Sequence, residues 1–422
     1  MAEIRPFRGV RYNPDVIGRF EDVVAPPYDV LSAAQVHEYH ARHPHNITHL
    51  TRPAGEEPYA NAAKLWREWL ASGALAVDPE PALYIYQQSF TDPETGLPQP
   101  ERLGLICALK LEDYSSGKVV PHENTITAHR ADRLRLLRAT QANFESIYGL
   151  YSDPDREVEQ FINEFAGREP VIENVGNVAG STHRLERITN EEAIGVIANL
   201  LREKPVFIAD GHHRYETSLA YRAEAGGNPE ADYIVITLTA FEDEGLLVLP
   251  THRLVKNVAP GKLAALPDHL ARAGFDVLPV STASLVGKTP DAYGFFMVLG
   301  DQAYDVRPRD REALVASIPQ FGSHALRSLN VIILSAIALE QGLDIPIASL
   351  ATTDKVTYTR DAGEALDKVQ RGDSQAAFLL ARPTVEQVQD VAAEGEKMPQ
   401  KSTFFFPKLL SGLVMRDLRV EG

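Results

Sequence analysis

The chain has 422 residues, which at roughly 100–200 residues per domain allows two to four domains or one large two-lobed unit. Its 44% hydrophobic and 24% charged residues exclude disorder, collagen and coiled coil. Forty-two Lys and Arg against 58 Asp and Glu give a net charge of −16, which disfavours nucleic acid and anionic membranes as partners but leaves room for a local basic pocket, and the single cysteine, Cys107, excludes a disulfide framework or a Cys-based zinc site.

Residues 1–9 carry Glu3, Arg5 and Arg8 and no apolar core, so no signal peptide is expected and the chain is expected in a reducing, cytoplasmic setting. Residues 23–30 (VVAPPYDV) contain Pro26–Pro27, which forces an extended or turning backbone. Helices are expected from after Ser32 to about Pro44 and over 59–72, where Leu65, Trp66, Trp69 and Leu70 recur at helical spacing before Gly73. The histidines at 37, 40, 43, 45 and 49 are expected on a solvated face, since Pro44 breaks the helix and no organised metal shell accompanies them. Residues 82–90 and 102–114 are expected as a hairpin with a long loop, with Cys107 as a core thiol.

Further on, a loop and then a helix are expected within 121–151, helices over 161–166, 191–203 and 213–225, and strands over 206–210, 233–240 and 246–250. Past about Asn257 the pattern restarts. Strands are expected at 294–299, 303–306, 355–359, 377–380 and 402–406, and helices at 325–341, 362–370 and 384–394. The apolar run 331–339 is too short to span a bilayer and is expected inside a buried helix. Gly287-Lys288-Thr289 imitates the end of a P-loop, but Thr282 stands where the required glycine would be and Pro290 follows. The sum is a mixed α+β chain with a lobe boundary near residue 257.

The sharpest local feature is 207–215, FIADGHHRY. A strand that turns at Asp210–Gly211 into a helix aims backbone N–H groups and the positive helix end at one spot, which suits a phosphate. Gly211 admits close approach, and His212, His213 and Arg214 add donors, Arg214 with a fork that matches phosphate oxygens. Taken alone, the same stretch is equally a helix start with two surface histidines.

The ADGHHR box resembles the nucleotide-binding motif of the ParB/sulfiredoxin superfamily, which includes free-serine kinases. There it works with an upstream Pro-His-Glu box, matched here by 119–123 (VVPHE). The chain is further identified as a member of domain-of-unknown-function family 1015 by 5–14 (RPFRGVRYNP), 23–30, 121–134 (PHENTITAHRADRL), 209–215, 250–255 (PTHRLV) and 398–414 (MPQKSTFFFPKLLSGLV). The resemblance implies a ParB/sulfiredoxin-like catalytic lobe over 1–257, with an insertion over about 153–203, and a mixed α/β lobe over 258–422 that carries the KST motif and folds back over the first. It implies a nucleotide-dependent phosphotransferase acting on a small hydroxyl compound, free L-serine foremost, with ATP or ADP as nucleotide. A phosphoserine phosphatase and a nucleotide-sensing protein without turnover remain alternatives. Sulfinic-acid repair is excluded, because His212 stands where sulfiredoxins carry their cysteine.

In this reading Glu123 is the base for the acceptor hydroxyl, with Asp210 and His213 as further catalytic candidates and Asp210 as a Mg²⁺ ligand. Gly211, His212, Arg214, Lys401, Ser402 and Thr403 are the candidates for holding nucleotide phosphates. Arg133, Arg253 and Lys408 are weaker candidates for an anionic substrate, the two arginines being equally able to pair with a carboxylate. No nucleic-acid or membrane partner is expected, and the oligomeric state is left open.

Overall fold

A computed structural model describes residues 2–121, 127–166, 168, 170–285, 287–350, 352–399 and 401–419. Its first half is built on a mixed nine-stranded sheet. In spatial order the strands are Val119–Pro121, Val206–Asp210, Ile147–Tyr151, Tyr233–Ala240, Arg102–Lys110, Leu83–Phe90, Ser181–Ile188 and Pro170–Val178, with Ile4–Arg5 paired to Arg102–Lys110. Val119–Pro121 runs parallel to Val206–Asp210, so Pro121 sits beside Ile208, two residues before Asp210. Cys107 is buried in the sheet, and its thiol is pushed up by that burial.

The second sheet is antiparallel and six-stranded, in the order Phe275–Val280, Gln302–Pro308, Phe295–Leu299, Ala376–Leu380, His252–Val255 and Val356–Thr359. His252–Val255 therefore joins the C-terminal sheet although it precedes residue 257. The chain end travels the other way. Phe404–Phe406 pairs with Leu247–Leu249, Ser411 bridges to Ala25, Met415 to Val10, and Arg416–Asp417 pairs with Ala142–Asn143. Arg416 is buried against Glu230, and Trp66 donates to Asp417 at 3.3 Å. One apolar core runs from Phe7 and Trp66 through Phe405 to Phe295 and Leu339, uniting both sheets.

Several expected elements are corrected. The strand expected over 102–114 stops at Lys110, because the Leu111 and Glu112 amides turn to Asp232 O and the Tyr215 hydroxyl and Tyr114–Ser116 form a 3₁₀ turn. The helix expected over 325–341 is broken into His324–Arg327 and Asn330–Ile333, followed by a π-helical stretch, Leu334–Gly342. Extended backbone at Leu329 interrupts it, and a run buried all round leaves no periodicity to betray the change. The helix Pro260–Arg272 and strand Phe275–Val280 were not expected, since Pro267 sits inside the first and Pro279 and exposed positions blur the second. Only His37 of the histidine group is exposed, the others being partly buried. His40 stacks on His49 at 4.3 Å and His45 packs edge-on against Trp69 at 5.3 Å. Among the described residues no helix is long and apolar enough to cross a membrane.

Candidate functional site

The strand Val206–Asp210 is apolar and largely buried until Asp210, with Phe207 partly exposed, then turns sharply into the helix His212–Glu224. Gly211 makes the turn at φ +94°, and a Cβ there would lie 2.7 Å from Ile147 Cγ2. Gly211 occupies the cap position and has no side chain to cap the helix, whose positive first turn faces the bend. Together with the chain end, this turn forms the floor of a cavity of about 100 Å³ lined by Asp210, Gly211, His212, His213, Arg214, Lys401, Thr403 and Lys408. Residues far apart in sequence thus meet at one place.

Cations dominate that cavity. Lys408 Nζ lies 2.5 Å from Asp210 Oδ2 and 4.3 Å from the Phe404 ring centroid. Arg214 donates to Ser146 O at 2.8 Å and faces Asp210 Oδ1 at 3.7 Å and Glu145 Oε2 at 3.8 Å. Burial by itself would raise the Asp210 carboxyl, but Lys408 and Arg214, with His212 behind them, hold it well below the ordinary carboxylate range. Asp210 is therefore an anion at neutral pH, placed between an ammonium and a guanidinium.

Several contributors had no assigned role in the sequence. Tyr28, Asp29 and Val30 of the double-proline loop line the cavity. That loop is tied down by Glu145, whose Oε1 accepts from Tyr28 N at 3.0 Å and from Ser411 Oγ at 2.7 Å. Glu145 thus links the double-proline loop, the chain end and Arg214. Arg360 enters from the second sheet, its guanidinium 3.5 Å from the Phe404 ring centroid; among the described residues it forms no hydrogen bond or ion pair. Thr251 completes the rim.

Other candidates lie outside the cavity. Ser402 is buried with its hydroxyl donated to Pro399 O at 2.6 Å. Arg253 is buried, bonds the Thr251 and Lys401 carbonyls, and so holds the Lys401 turn, where φ is +60°. Burial pulls its guanidinium down to about 10. Arg133 lies 4.1 Å over the Tyr28 ring and bonds Asp132 and Thr51 O, so it buttresses the Tyr28 loop from behind. Glu123 lies outside the described residues. The segments flanking it are near the turn: Pro121 sits beside Ile208, and Thr217 of the His212–Glu224 helix donates to Arg130 O at 3.4 Å. Among the described residues no three His, Cys, Asp or Glu side chains are grouped to hold a metal. Asp210 and Asp29 are the carboxylates that line the cavity.

Buried support fixes the cationic wall. Arg102, itself buried, bonds Gln88 and the Phe406 and Pro407 carbonyls, and Gln88 donates to Lys408 O at 3.3 Å. The turn that presents Lys408 is thereby bolted to the central sheet.

Among curated proteins none matches the chain. Solved structures similar to it include a conserved hypothetical protein from Pyrococcus furiosus, at 14% identity and TM-score 0.35, covering 72% of this chain and 93% of that one. A free serine kinase in complex with AMP matches at 14% identity and TM-score 0.36, covering 71% and 88%, and SbnI with C-terminal truncation from Staphylococcus aureus at 10% and 0.36, covering 73% and 86%. The family model described as "Protein of unknown function (DUF1015)" matches residues 4–332, which include the double-proline loop and the ADGHHR turn, and the chain belongs to that family.

Proposed function

We propose that the protein is a nucleotide-dependent phosphotransferase acting on a small hydroxyl substrate, with free L-serine the acceptor that the motif resemblance implies. The observation that carries this reading is the convergence of Arg214, Arg360, Lys401 and Lys408, from three segments of the chain, on the start of the His212–Glu224 helix in a protein of net charge −16. An acidic protein that gathers cations around one cavity is built to receive an anion there. Phosphoryl transfer asks mainly for positioning and for charge aimed at the transferring group, and this wall supplies both. A Mg²⁺ ion carried by the nucleotide needs only one or two protein carboxylates, and Asp29 and Asp210, the latter after release from Lys408, would be the residues to hold it. In this reading the first lobe is ParB/sulfiredoxin-like, and Glu123 takes the acceptor's proton.

The test is incubation with ATP or ADP, Mg²⁺ and a panel of hydroxy compounds including L-serine and phosphoserine, read by mass spectrometry, for wild type and Glu123→Gln. The amide keeps the shape but takes no proton, so turnover should fall roughly 10²–10⁴-fold while nucleotide affinity stays within a few-fold. Turnover retained in the variant removes Glu123 as the base. Nucleotide binding with no consumption of any hydroxy compound replaces the enzyme with a nucleotide sensor, and phosphate release from phosphoserine without nucleotide replaces the kinase with a phosphatase.

A further inference from the structure

Beside the cationic cavity lies a much larger one, of about 570 Å³, between the two sheets. The two share four wall residues, Val30, Arg360, Phe404 and Lys408. The smaller cavity has room for phosphate groups and little else, whereas the larger falls within the roughly 300–1,000 Å³ of sites for organic ligands, at a boundary between lobes where such sites are common. Leu31, Leu249, Leu366 and Phe406 give it apolar walls, and Gln35, Thr95 and Thr289 add hydrogen-bonding groups. Beyond the shared boundary its charges balance. Arg382 is held by Asp92 at 2.7 and 2.8 Å and by Glu94, and Lys288 is matched by Asp361. Such a wall suits a neutral, partly aromatic body and not a second polyanion.

We infer that this cavity holds the nucleoside, base and ribose, of the nucleotide whose phosphates lie against Lys408, Arg360 and the start of the His212–Glu224 helix. The inference rests on the nucleotide reading above. An acceptor as small as serine needs far less space, so within that reading the nucleoside is the part of matching size. Phe404 then divides the two compartments, with Arg360 and Lys408 against its ring at 3.5 and 4.3 Å and their charged heads at the junction where a phosphate chain leaves the ribose. Gly287-Lys288-Thr289 acquires a place as well, at the mouth of the nucleoside cavity and away from the phosphates.

Calorimetry with ADP and with inorganic tripolyphosphate tests this on wild type, Leu366→Trp and Thr289→Trp. Both positions line the large cavity and neither lines the small one. Thr289 is on an exposed loop, so its variant keeps the test open should Leu366→Trp fail to fold. An indole filling the cavity should weaken ADP roughly tenfold or more while tripolyphosphate affinity stays unchanged. ADP affinity equal to wild type in the folded variants would place the nucleoside elsewhere and overturn the inference, with the nucleotide reading intact. Equal loss of both ligands would overturn it too, since the cavities would then not act separately. Failure of wild type to bind either ligand would overturn the nucleotide reading itself, and this inference with it.

Discussion

Two arginines at the site differ in how the fold holds them, and that difference is measurable. Arg214 is largely buried, bonded to Ser146 O and close to Glu145 and Asp210, so Arg214→Ala removes a phosphate ligand and also a cation beside two carboxylates, each of which keeps another partner. It should lower nucleotide affinity about ten- to a hundredfold, from a lost charge-assisted contact of about 1.5–3 kcal/mol, and destabilise the fold by about 1–2 kcal/mol through the lost bond to Ser146 O. Arg360 packs on the Phe404 ring and forms no hydrogen bond or ion pair among the described residues, with Asp29 and Asp210 acting on it only through their charge, so no hydrogen-bond partner is left behind when it goes. Arg360→Ala should cost about tenfold in nucleotide affinity with stability changed by less than about 0.5 kcal/mol. Paired binding and denaturation measurements check both. A large stability loss in Arg360→Ala would mean that its role is structural. Nucleotide affinity unchanged in a folded Arg214→Ala protein would remove that residue from the site.

At the scale of the element, the strand–turn–helix unit depends on one atom being absent. Gly211 holds φ +94° where its missing Cβ would meet Ile147 Cγ2 at 2.7 Å, so alanine there meets both backbone strain and a clash. Gly211→Ala should destabilise by roughly 2–4 kcal/mol and weaken nucleotide binding by shifting the first-turn amides. Ile147→Ala in the same chain relieves the clash but not the strain, so the double variant should recover part of the loss. A denaturation cycle over the four proteins shows the coupling. Strict additivity would mean that the turn tolerates a Cβ by moving away from Ile147. This unit was legible in sequence because every level agreed: an apolar strand, an Asp-Gly turn, then helical spacing. Arg360 was not legible, being one arginine after a short strand whose relevance arises only when the second sheet meets the first. Glu145 was silent for the same reason, since its partners Tyr28, Arg214 and Ser411 lie far away along the chain.

For the whole molecule, the closing of the chain end over the first sheet was legible as a motif match, but its route through Leu247–Leu249, Ala25, Val10 and Ala142–Asn143 came only from the assembled fold. Short pairings made by a segment rich in turns leave no periodicity to read. The same closure buries titratable groups whose charge the fold must suppress, which predicts how stability responds to pH. His183, on the first sheet between Tyr86 and Ser181, and His252, on the second sheet beside Arg253, are both pushed down from an ordinary value of 6.5 to about 4, chiefly by burial. His45 and His49 are lowered in the same sense. A histidine whose folded pKa is depressed binds more protons when unfolded, so its contribution is complete above about 6.5 and is lost as pH falls towards 4. Asp243 opposes this, because burial raises it from 3.8 to about 6 and the folded state gains as it protonates. With several histidines against one aspartate, the net loss between pH 7 and pH 4.5 should be on the order of a few kcal/mol. Urea denaturation across that range measures it, and a flat profile would show that the buried histidines are hydrated or charged in the folded protein. His252→Asn should remove part of the slope. Because His252 adjoins Arg253, which holds the Thr251 and Lys401 carbonyls, the acid-induced loss should be accompanied by weaker nucleotide binding. His183→Asn should flatten the slope by a similar amount with a smaller effect on binding, since His183 is not among the residues that line the cationic cavity and does not adjoin Arg253.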